Sequence, residues 1–333
     1  MSDSPLPPPR TLPNDITKPI LVAGAAGFLG SNMVDYLLHQ GHHIIGLDNY
    51  QGEALENLRH LDGHPRFKMI RHNIQSPIPQ LPPLSCIYHL ACPASPIKYQ
   101  KDPVDTLDTA YLGTRNLLDL AQEHNCRILL SSTSEVYGEP QVHPQPESYW
   151  GNVNSFGPRS CYDEGKRAAE ALAYAYGQKR KTEIRIARIF NTYGPRMNAN
   201  DGRVVSSFIA AALSGKSTPI TGDGTATRSF QFVDDCLRGL EALMKSDYQA
   251  PVNIGNDVEF SLKELADLVV ESVHRLTGRQ RVGIEFYPRP LDDPTMRRPD
   301  ISLARKILGW NPVVPLKDGL METIQWHLDL GTP

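Results

Sequence analysis

Short apolar runs alternate with amphipathic stretches through the first half of the chain, and this pattern predicts strands that alternate with helices. Such alternation is typical of an α/β protein with a doubly wound parallel sheet of the Rossmann type. The predicted strands cover residues 19–23, 43–48, 67–71, 86–91, 127–131 and 184–189. The predicted helices between them cover residues 28–40, 103–124 and 162–179.

The periodicity changes after Asn191, where predicted helices near residues 204–213, 234–245, 261–276 and 316–328 are separated by short strands and proline-containing loops. We therefore predict a dinucleotide-binding domain over 19–190 and a smaller mixed α/β lobe mainly over 191–333, with the chain crossing between the two. Residues 1–18 are rich in proline and contain no apolar run, so they are expected to form a disordered tail rather than a signal peptide or membrane anchor.

Composition limits the classes of partner. The 333 residues are 40% hydrophobic and 21% charged, which suits a chain with a sizeable core. The net charge of −3 gives no indication of a nucleic-acid-binding face or a basic membrane-binding patch. Five cysteines occur without a C-x-x-C pair, so we expect reduced thiols in a cytoplasmic protein and no metal site.

Three glycines lie between the first predicted strand and its helix, in the order Gly24-x-x-Gly27-x-x-Gly30. Gly24 permits a tight turn, Gly27 lets the backbone approach a pyrophosphate, and Gly30 allows close packing of helix and strand. The N-terminus of the helix offers free N–H groups and the positive end of a dipole. Three glycines alone are weak evidence, but in this position they predict a dinucleotide site.

Asp48 ends the second predicted strand, eighteen residues after Gly30. A carboxylate at this point accepts hydrogen bonds from an adenosine ribose and repels a 2′-phosphate, which favours NAD over NADP. The alternative is a loop aspartate that caps the following turn, and the spacing favours the cofactor role.

A second group of residues is Thr133, Tyr162 and Lys166. Tyr162 and Lys166 are four residues apart and share one helix face. A nearby ammonium is expected to stabilise the phenolate and lower the phenol pKa, so that the tyrosine can take the proton of a sugar hydroxyl while hydride leaves the same carbon. Thr133 follows the fifth predicted strand, at the edge of the sheet where ligands bind.

These motifs, with the stretches around them, resemble those of the extended short-chain dehydrogenase/reductases, and more narrowly those of the UDP-glucuronate decarboxylases, also called UDP-xylose synthases. The resemblance spans nearly everything after residue 18. Its most specific segments are STSEVYGEPQVHPQPESYWGNVN at 132–154 and GPRSCYDEGKRAAE at 157–170, supported by AGAAGFLGS at 23–31 and RRPDI at 297–301.

The resemblance implies that a sugar hydroxyl is oxidised, that the resulting ketone allows loss of carbon dioxide, and that NAD is then regenerated. It also implies a homodimer paired through the helices at 103–124 and 162–179, where Leu107, Leu112 and Leu118 are apolar; the alternative is that these side chains only pack on the sheet. The resemblance places the substrate at Glu135, Asn191, Arg203, Arg228 and Arg297, and catalysis at Thr133, Glu135, Tyr162 and Lys166. It places NAD at Gly24, Gly27, Phe28, Leu29, Gly30, Asp48, Asn49, Asn73, Leu90, Thr109, Tyr162, Lys166 and Arg188.

Taken alone, Glu135 would fit a turn cap and Arg297 a solvated charge beside Asp292 and Asp293. The match across the whole motif favours the implied roles: Glu135 assists decarboxylation and reprotonation, and Arg297 contacts the carboxylate-bearing end of the sugar. Asn191, Arg203 and Arg228 are expected at the UDP portion, because planar guanidinium groups bind two phosphate oxygens at once.

The chain departs from the family pattern near the cofactor. Asp108 and Ala110 replace a lysine and an asparagine, Asn73 replaces an aspartate, and Leu55 replaces a basic residue, so weakened NAD binding or turnover is an open question.

Other classes of protein also remain open. A 4,6-dehydratase would show Thr-Asp-Glu where this chain has Thr-Ser-Glu at 133–135. An epimerase usually lacks an acid at the position of Glu135. A non-catalytic NAD-responsive regulator typically loses the catalytic tyrosine, which this chain retains as Tyr162.

Overall fold

A parallel sheet forms the centre of the computed structural model, which describes residues 17–51 and 55–331. Within this part of the chain the sheet has seven strands, which are β1 (Ile20–Ala23), β2 (Ile44–Asp48), β3 (Phe67–Arg71), β4 (Cys86–His89), β5 (Arg127–Thr133), β6 (Ile184–Ile189) and β11 (Pro251–Ile254). Their order across the sheet is β11-β6-β5-β4-β1-β2-β3. The predicted Rossmann-type sheet is confirmed. The predicted tail at 1–18 lies almost entirely outside the described residues, as does the side chain of Leu55.

Helices cover both faces of the sheet, because strands buried on both sides need an apolar layer on each. One layer contains α1 (Phe28–His39) and α7 (Val233–Lys245), whose buried side chains include Met33 and Leu240. The other contains α4 (Thr114–Glu123) and α5 (Ser160–Arg180), whose buried side chains include Leu117 and Ala173. This arrangement leaves the carboxyl ends of the strands free to form a ligand crevice.

The predicted helix at 103–124 contains a change of helix type in the structure. It begins as α3 (Pro103–Asp108), widens into a π turn over Thr109–Gly113, and continues as α4. The π turn brings Ala110 against α5, where a Cβ atom added to Gly165 would lie 3.0 Å from the Ala110 Cβ. Single π turns inside helices are frequently found at functional sites, and this one lies at a position where the chain departs from the family pattern.

The edge strand β11 comes from the second half of the chain and pairs in parallel with β6, Val252 lying opposite Ala187. Residues after Asn191 therefore complete the sheet as well as forming the smaller lobe.

The smaller lobe combines short strands with helices. Its remaining helices are α6 (Val204–Leu213), α8 (Leu262–Thr277), α9 (Ser302–Leu308) and α10 (Leu316–Asp329). Its short strands pair as β7 (Thr192–Tyr193) with β10 (Gln231–Phe232), as β8 (Thr218–Thr221) with β13 (Ile284–Tyr287), and as β9 (Thr227–Ser229) with both β12 (Glu259–Ser261) and β14 (Met296–Arg297). A short helix, α2 (Pro96–Tyr99), lies beyond β4. No helix within the described residues is both long and apolar enough to span a membrane.

Candidate active site

The glycine turn after β1 is tightly packed on one side and open on the other. Gly24 has φ +80°, and a Cβ atom there would lie 2.7 Å from the Ala91 nitrogen. A Cβ atom at Gly30 would lie 1.8 Å from the Gly24 oxygen, so any side chain would push α1 away from the turn. At Gly27, by contrast, a Cβ atom would meet only the Gly24 oxygen within 4 Å, at 3.3 Å. The turn therefore offers open backbone next to the N-terminus of α1, where the N-cap residue Gly27 makes no side-chain capping bond.

Asp48 sits at the end of β2 and already accepts two backbone hydrogen bonds. Its Oδ2 accepts from the Ala26 N–H at 3.0 Å and its Oδ1 from the Tyr50 N–H at 2.7 Å. Burial raises the pKa of Asp48, and the backbone hydrogen bonds oppose that rise. The carboxylate thus links the glycine turn to the loop after β2. Asp48 therefore caps the turn, as the alternative from the sequence held, and it also lies where it could bind a ribose.

A cavity of about 650 Å³ opens at the carboxyl ends of the strands, between the sheet and the smaller lobe. Its volume is in the range of small-molecule and cofactor sites. Predicted site residues that line it are Leu29, Leu90, Thr133, Glu135, Tyr162, Lys166, Asn191, Arg203, Arg228 and Arg297.

Tyr162 lies on the first turn of α5 with its ring stacked on Tyr99, the ring centres 5.0 Å apart. Burial raises the pKa of Tyr162 well above its ordinary value, and a hydrogen bond with the Thr133 side chain opposes this. Lys166 Nζ lies 5.9 Å from the centre of the Tyr162 ring and donates to the Ser131 carbonyl at 2.8 Å. The expected lowering of the phenol pKa by Lys166 is therefore wrong for this structure, because burial outweighs the ammonium at that distance.

Glu135 lies between two arginines. Its Oε1 accepts from Arg297 Nη1 at 2.7 Å and its Oε2 from Arg159 Nη2 at 2.6 Å. Burial alone would raise the pKa of Glu135, but the two guanidinium groups outweigh burial and lower it to about 2. Glu135 is therefore a carboxylate at neutral pH. Its backbone N–H also donates to Thr133 Oγ1 at 3.2 Å, which fixes the carboxylate close to the Thr133–Tyr162 pair.

Arg297 is almost completely buried, with 1% of its surface exposed, so the solvated-charge alternative is wrong. Besides Glu135, it donates to Ser134 Oγ at 2.9 Å and to the Gly138 carbonyl at 3.0 Å. Arg298, in contrast, faces Glu259 at 3.5 Å. Arg297 on β14 and Arg298 in the loop after it therefore have different surroundings, although they are adjacent in sequence.

The charges around Glu135 form a network with one positive charge in excess. Arg159 Nη1 lies 3.7 Å from Asp293 Oδ1, and Arg228 Nη2 donates to Asp293 Oδ2 at 3.1 Å. Three guanidinium groups (Arg159, Arg228 and Arg297) thus face two carboxylates (Glu135 and Asp293). Buried guanidinium groups whose charge is only partly matched favour an anionic ligand.

The remaining predicted substrate residues line the same cavity from the smaller lobe. Arg203 pairs with Asp201 and lies over the Phe28 ring, 5.8 Å from its centre. The amide of Asn191 donates to the Ser229 carbonyl at 3.4 Å. Arg228 donates to the carbonyls of Thr295 and Pro294 as well as to Asp293, so the loop before β14 is tied directly to the cavity wall.

Arg188 is predicted at the cofactor, and the structure places it elsewhere. It does not line the cavity; its guanidinium donates to Glu170 at 2.7 Å and to the Glu147 carbonyl at 3.0 Å, and stacks on the Tyr137 ring. The pairing with Glu170 already neutralises its charge. Burial opposes the charged form, yet this partner raises the pKa of Arg188, so the residue holds β6 to α5.

Three further predicted cofactor residues make local contacts. Asn49 Oδ1 accepts from the Gln51 N–H at 3.1 Å, and Asn73 Oδ1 accepts from the Gln75 N–H at 3.0 Å. Thr109 Oγ1 accepts from Gln75 Nε2 at 2.8 Å, which connects the π turn to the loop after β3. These residues lie in the surface loops beyond β2 and β3 and in the π turn, outside the main cavity.

Two residues of this site were missed by the sequence analysis. Arg159 precedes Tyr162 by one helical turn and belongs to the quoted 157–170 segment, which was the available signal. Asp163 is 6% exposed, and burial together with the charge of Glu135 raises its pKa to about 8. The described residues contain no cluster of three His, Cys, Asp or Glu side chains suited to a metal ion.

Comparison with known proteins shows which family the chain resembles. The family model described as GDP-mannose 4,6 dehydratase matches residues 21–323. The chain is 51% identical over 324 residues to UDP-glucuronic acid decarboxylase 5 of Arabidopsis thaliana, covering 95% of this chain and 93% of the relative. It is 48% identical over 320 residues to UDP-glucuronic acid decarboxylase 1 of Danio rerio, covering 96% of this chain and 75% of the relative.

Solved structures share the whole fold. UDP-glucuronic acid 4-epimerase from Bacillus cereus, in complex with UDP-glucuronic acid and NAD, superposes with a TM-score of 0.81 at 27% identity, covering 94% of this chain and 99% of the other. UDP-glucose 4-epimerase from Thermotoga maritima superposes with a TM-score of 0.84 at 27% identity, with the same shares covered.

The sheet, the glycine turn and the Thr-Tyr-Lys group define an extended short-chain dehydrogenase/reductase. Within that class, the chain belongs to the family of UDP-glucuronic acid decarboxylases, whose members match it at about half identity over at least nine-tenths of its length.

Proposed function

We propose that this protein removes the carboxylate of UDP-glucuronate as carbon dioxide, giving UDP-xylose, with bound NAD regenerated in each turnover. The observation that carries the proposal is the ionised Glu135 held between Arg159 and Arg297 beside Tyr162. This arrangement provides a proton acceptor for a hydroxyl and an electropositive end for a carboxylate within one cavity.

The residues present fit NAD. The open side of Gly27 and the N-terminus of α1 suit a pyrophosphate, and Asp48 at the end of β2 suits a ribose. Leu29, Leu90 and Lys166 continue from this turn into the main cavity. When bound there, NAD supplies a hydride acceptor for the oxidation of a hydroxyl-bearing carbon and returns the hydride at the end.

Tyr162 moves the proton that oxidation and reduction require. Its phenol oxygen takes the proton of the sugar 4-hydroxyl and gives it back to the ketone oxygen, so the tyrosine ends each turnover unchanged. The Thr133 hydrogen bond stabilises the phenolate against burial, and Lys166 Nζ lies 5.9 Å from the centre of the ring. The stack with Tyr99 holds the ring in place at the start of α5.

The arginines and Glu135 act on the carboxylate-bearing end of the sugar. A ketone at carbon 4 lies β to the carboxylate, so the electron pair released with carbon dioxide is delocalised into the ketone as an enolate. Arg159 and Arg297 bind negative charge at this end, while Glu135 fixes both guanidinium groups. Arg203, Arg228 and Asn191 line the same cavity and are assigned to the UDP portion.

The residue at position 134 argues against a dehydratase. Expelling a hydroxyl needs an acid to protonate it, and this chain has Ser134 where the Thr-Asp-Glu of a dehydratase has that aspartic acid. A 4-epimerase would keep the sugar carboxylate. Incubation with UDP-glucuronate and NAD followed by mass analysis distinguishes the two: we expect a product that has lost carbon dioxide, and a product of unchanged mass would contradict the proposal.

We further propose a cytoplasmic homodimer that pairs through α3, the π turn and α5. Leu107 and Leu112 are 42% and 38% exposed, and Tyr174 on α5 is 66% exposed. Leu118, predicted on the same face, is 1% exposed and packs in the core, so for this residue the sheet-packing alternative holds. An apolar surface on two packed helices supports pairing with a second copy.

A further inference from the structure

A second cavity, of about 280 Å³, lies beside the active site. Arg159 lines both cavities and separates them. The mouth of the second cavity is exposed to solvent and its floor is buried. The residues used below are Glu139, Asn152, Asn154 and Asp292 at the mouth and Arg159 and Asp163 at the floor.

The floor of this cavity contains two buried polar atoms without a protein partner. Among the described residues, neither Asp163 Oδ1 nor Arg159 Nε makes a hydrogen bond. Buried polar atoms in native proteins are almost always bonded to protein or to ordered water. A polar cavity with a donor and an acceptor at its floor and amide and carboxylate groups at its mouth suits a chain of waters from bulk solvent to Asp163.

The proposed reaction needs one proton from solvent in every turnover. Replacing C–COO⁻ by C–H consumes a proton, and Tyr162 cannot supply it, because the proton that Tyr162 takes from the hydroxyl is returned to the same oxygen. Glu135 holds no stored proton, since two guanidinium groups keep it ionised. The supply must therefore come from another group or from water that reaches this end of the sugar.

We propose, on the basis of the decarboxylase function above, that Asp163 and the second cavity form the proton-supply route to carbon 5 of the sugar. Asp163 as a carboxylic acid gives its proton, by way of water at Arg159, to the enolate carbon, where the enolate electron pair forms the new C–H bond. Glu135 stays a carboxylate and holds Arg159 in place. The Asp163 carboxylate then takes a proton from water in the second cavity. Asp163 is a positioning residue for protons, since it acts through water.

The charges facing Asp163 set the pH range. Within α5 and at its start these are Arg159, Cys161, Tyr162 and Glu164; from neighbouring elements they are Glu135, Arg297 and Tyr99. Burial and the charge of Glu135 raise the pKa of Asp163 to about 8, against the opposing arginines. Asp163 thus carries its proton below about pH 8 and loses it above.

Single-turnover absorbance of NADH on the NAD-loaded enzyme tests this route, because NADH forms before carbon 5 is protonated and disappears afterwards. In Asp163→Asn, an isosteric change, we expect NADH to form within about twofold of the wild-type rate. NADH should then decay at least about tenfold more slowly, because general acids typically contribute about 10²–10⁴-fold to a rate. The matched control is Asp119→Asn, the same chemical change at a carboxylate that is 46% exposed and pairs with Arg180 at the surface. It should leave both phases unchanged.

The wild-type protein supplies a measurement that needs no variant. Its NADH decay phase should slow as the pH rises through about 8, and this dependence should be absent from Asp163→Asn. Equal slowing of both phases in Asp163→Asn, or a wild-type decay that does not change between about pH 7 and 9, would overturn the proton route. If the wild-type enzyme releases no carbon dioxide at all, the proposed function itself fails, and the two failures are therefore distinguishable.

Discussion

Arg159→Ala separates recognition of the sugar carboxylate from recognition of the rest of the substrate. Arg159 is 11% exposed on its side chain and donates to Glu135 at 2.6 Å. The lowering of the Glu135 pKa from 4.5 to about 2 corresponds to roughly 3 kcal/mol in favour of the carboxylate, at the 1.36 kcal/mol of one pKa unit. Arg297 still pairs with Glu135 when Arg159 is removed, so one positive charge remains beside the carboxylate.

The positive charge available to bind the substrate carboxylate changes more than the charge of Glu135 does. The network around Glu135 loses its one excess positive charge, and a partly exposed charge of this kind contributes about 1.4 kcal/mol, or roughly tenfold in affinity. By calorimetry on the NAD-loaded protein, UDP-glucuronate should bind Arg159→Ala roughly tenfold more weakly, whereas UDP-glucose, which has no carboxylate, should bind almost unchanged.

Arg180→Ala is the matched control, because Arg180 lies on the same helix, is 44% exposed and pairs with Asp119 at the surface. It should bind both ligands as the unmodified protein does. Arg159→Lys keeps the charge but loses the two-pronged geometry, and an intermediate affinity is expected. Equal weakening of both ligands by Arg159→Ala would refute the reasoning, since Arg159 would then support the cavity rather than the carboxylate.

Three other predictions follow from the same geometry. Tyr162→Phe should abolish NADH formation in single turnover, whereas Glu135→Gln should leave it at least partly intact and slow the later steps; equal loss in both variants would remove the division of roles. Asp48→Asn should narrow the preference for NAD over NADP in cofactor titrations, because a 2′-phosphate no longer meets a carboxylate, and an unchanged ratio would reject the role of Asp48. Light scattering at micromolar concentration should show a dimer that the paired change Leu107→Glu and Leu112→Glu dissociates, and a monomeric unmodified protein would contradict the dimer.

The main sheet was predictable because its strands are short apolar runs with turn residues at each end. Phe67–Arg71 and Ile184–Ile189 have the predicted bounds. The strand Pro251–Ile254 was not predicted, because four residues carry little periodic signal and its identity as a strand depends on pairing with β6, far away in sequence. The π turn at Thr109–Gly113 was also missed, since its apolar spacing resembles that of an ordinary helix.

Site residues were predictable where a sequence motif requires a given residue type at a given position. They were less predictable where the role of a residue depends on contacts with side chains far away in sequence. Glu135 and Arg297 were predicted separately, but their contact requires β14 to lie beside the turn after β5. Arg188 was assigned to the cofactor by the resemblance, and its pairing with Glu170, 18 residues away, was not visible in the sequence. Asp163 gave no signal because its pKa depends on burial and on the charge of Glu135.

The central claim is that the substrate is decarboxylated without net oxidation, and the carbon dioxide balance at substoichiometric NAD tests it most directly. With UDP-glucuronate in large excess over NAD, we predict one carbon dioxide released for each UDP-glucuronate consumed, UDP-xylose as the product, and no net accumulation of NADH. Consumption that stops when NAD is exhausted, with NADH formed in equal amount, or a product that retains its carboxylate, would contradict the account.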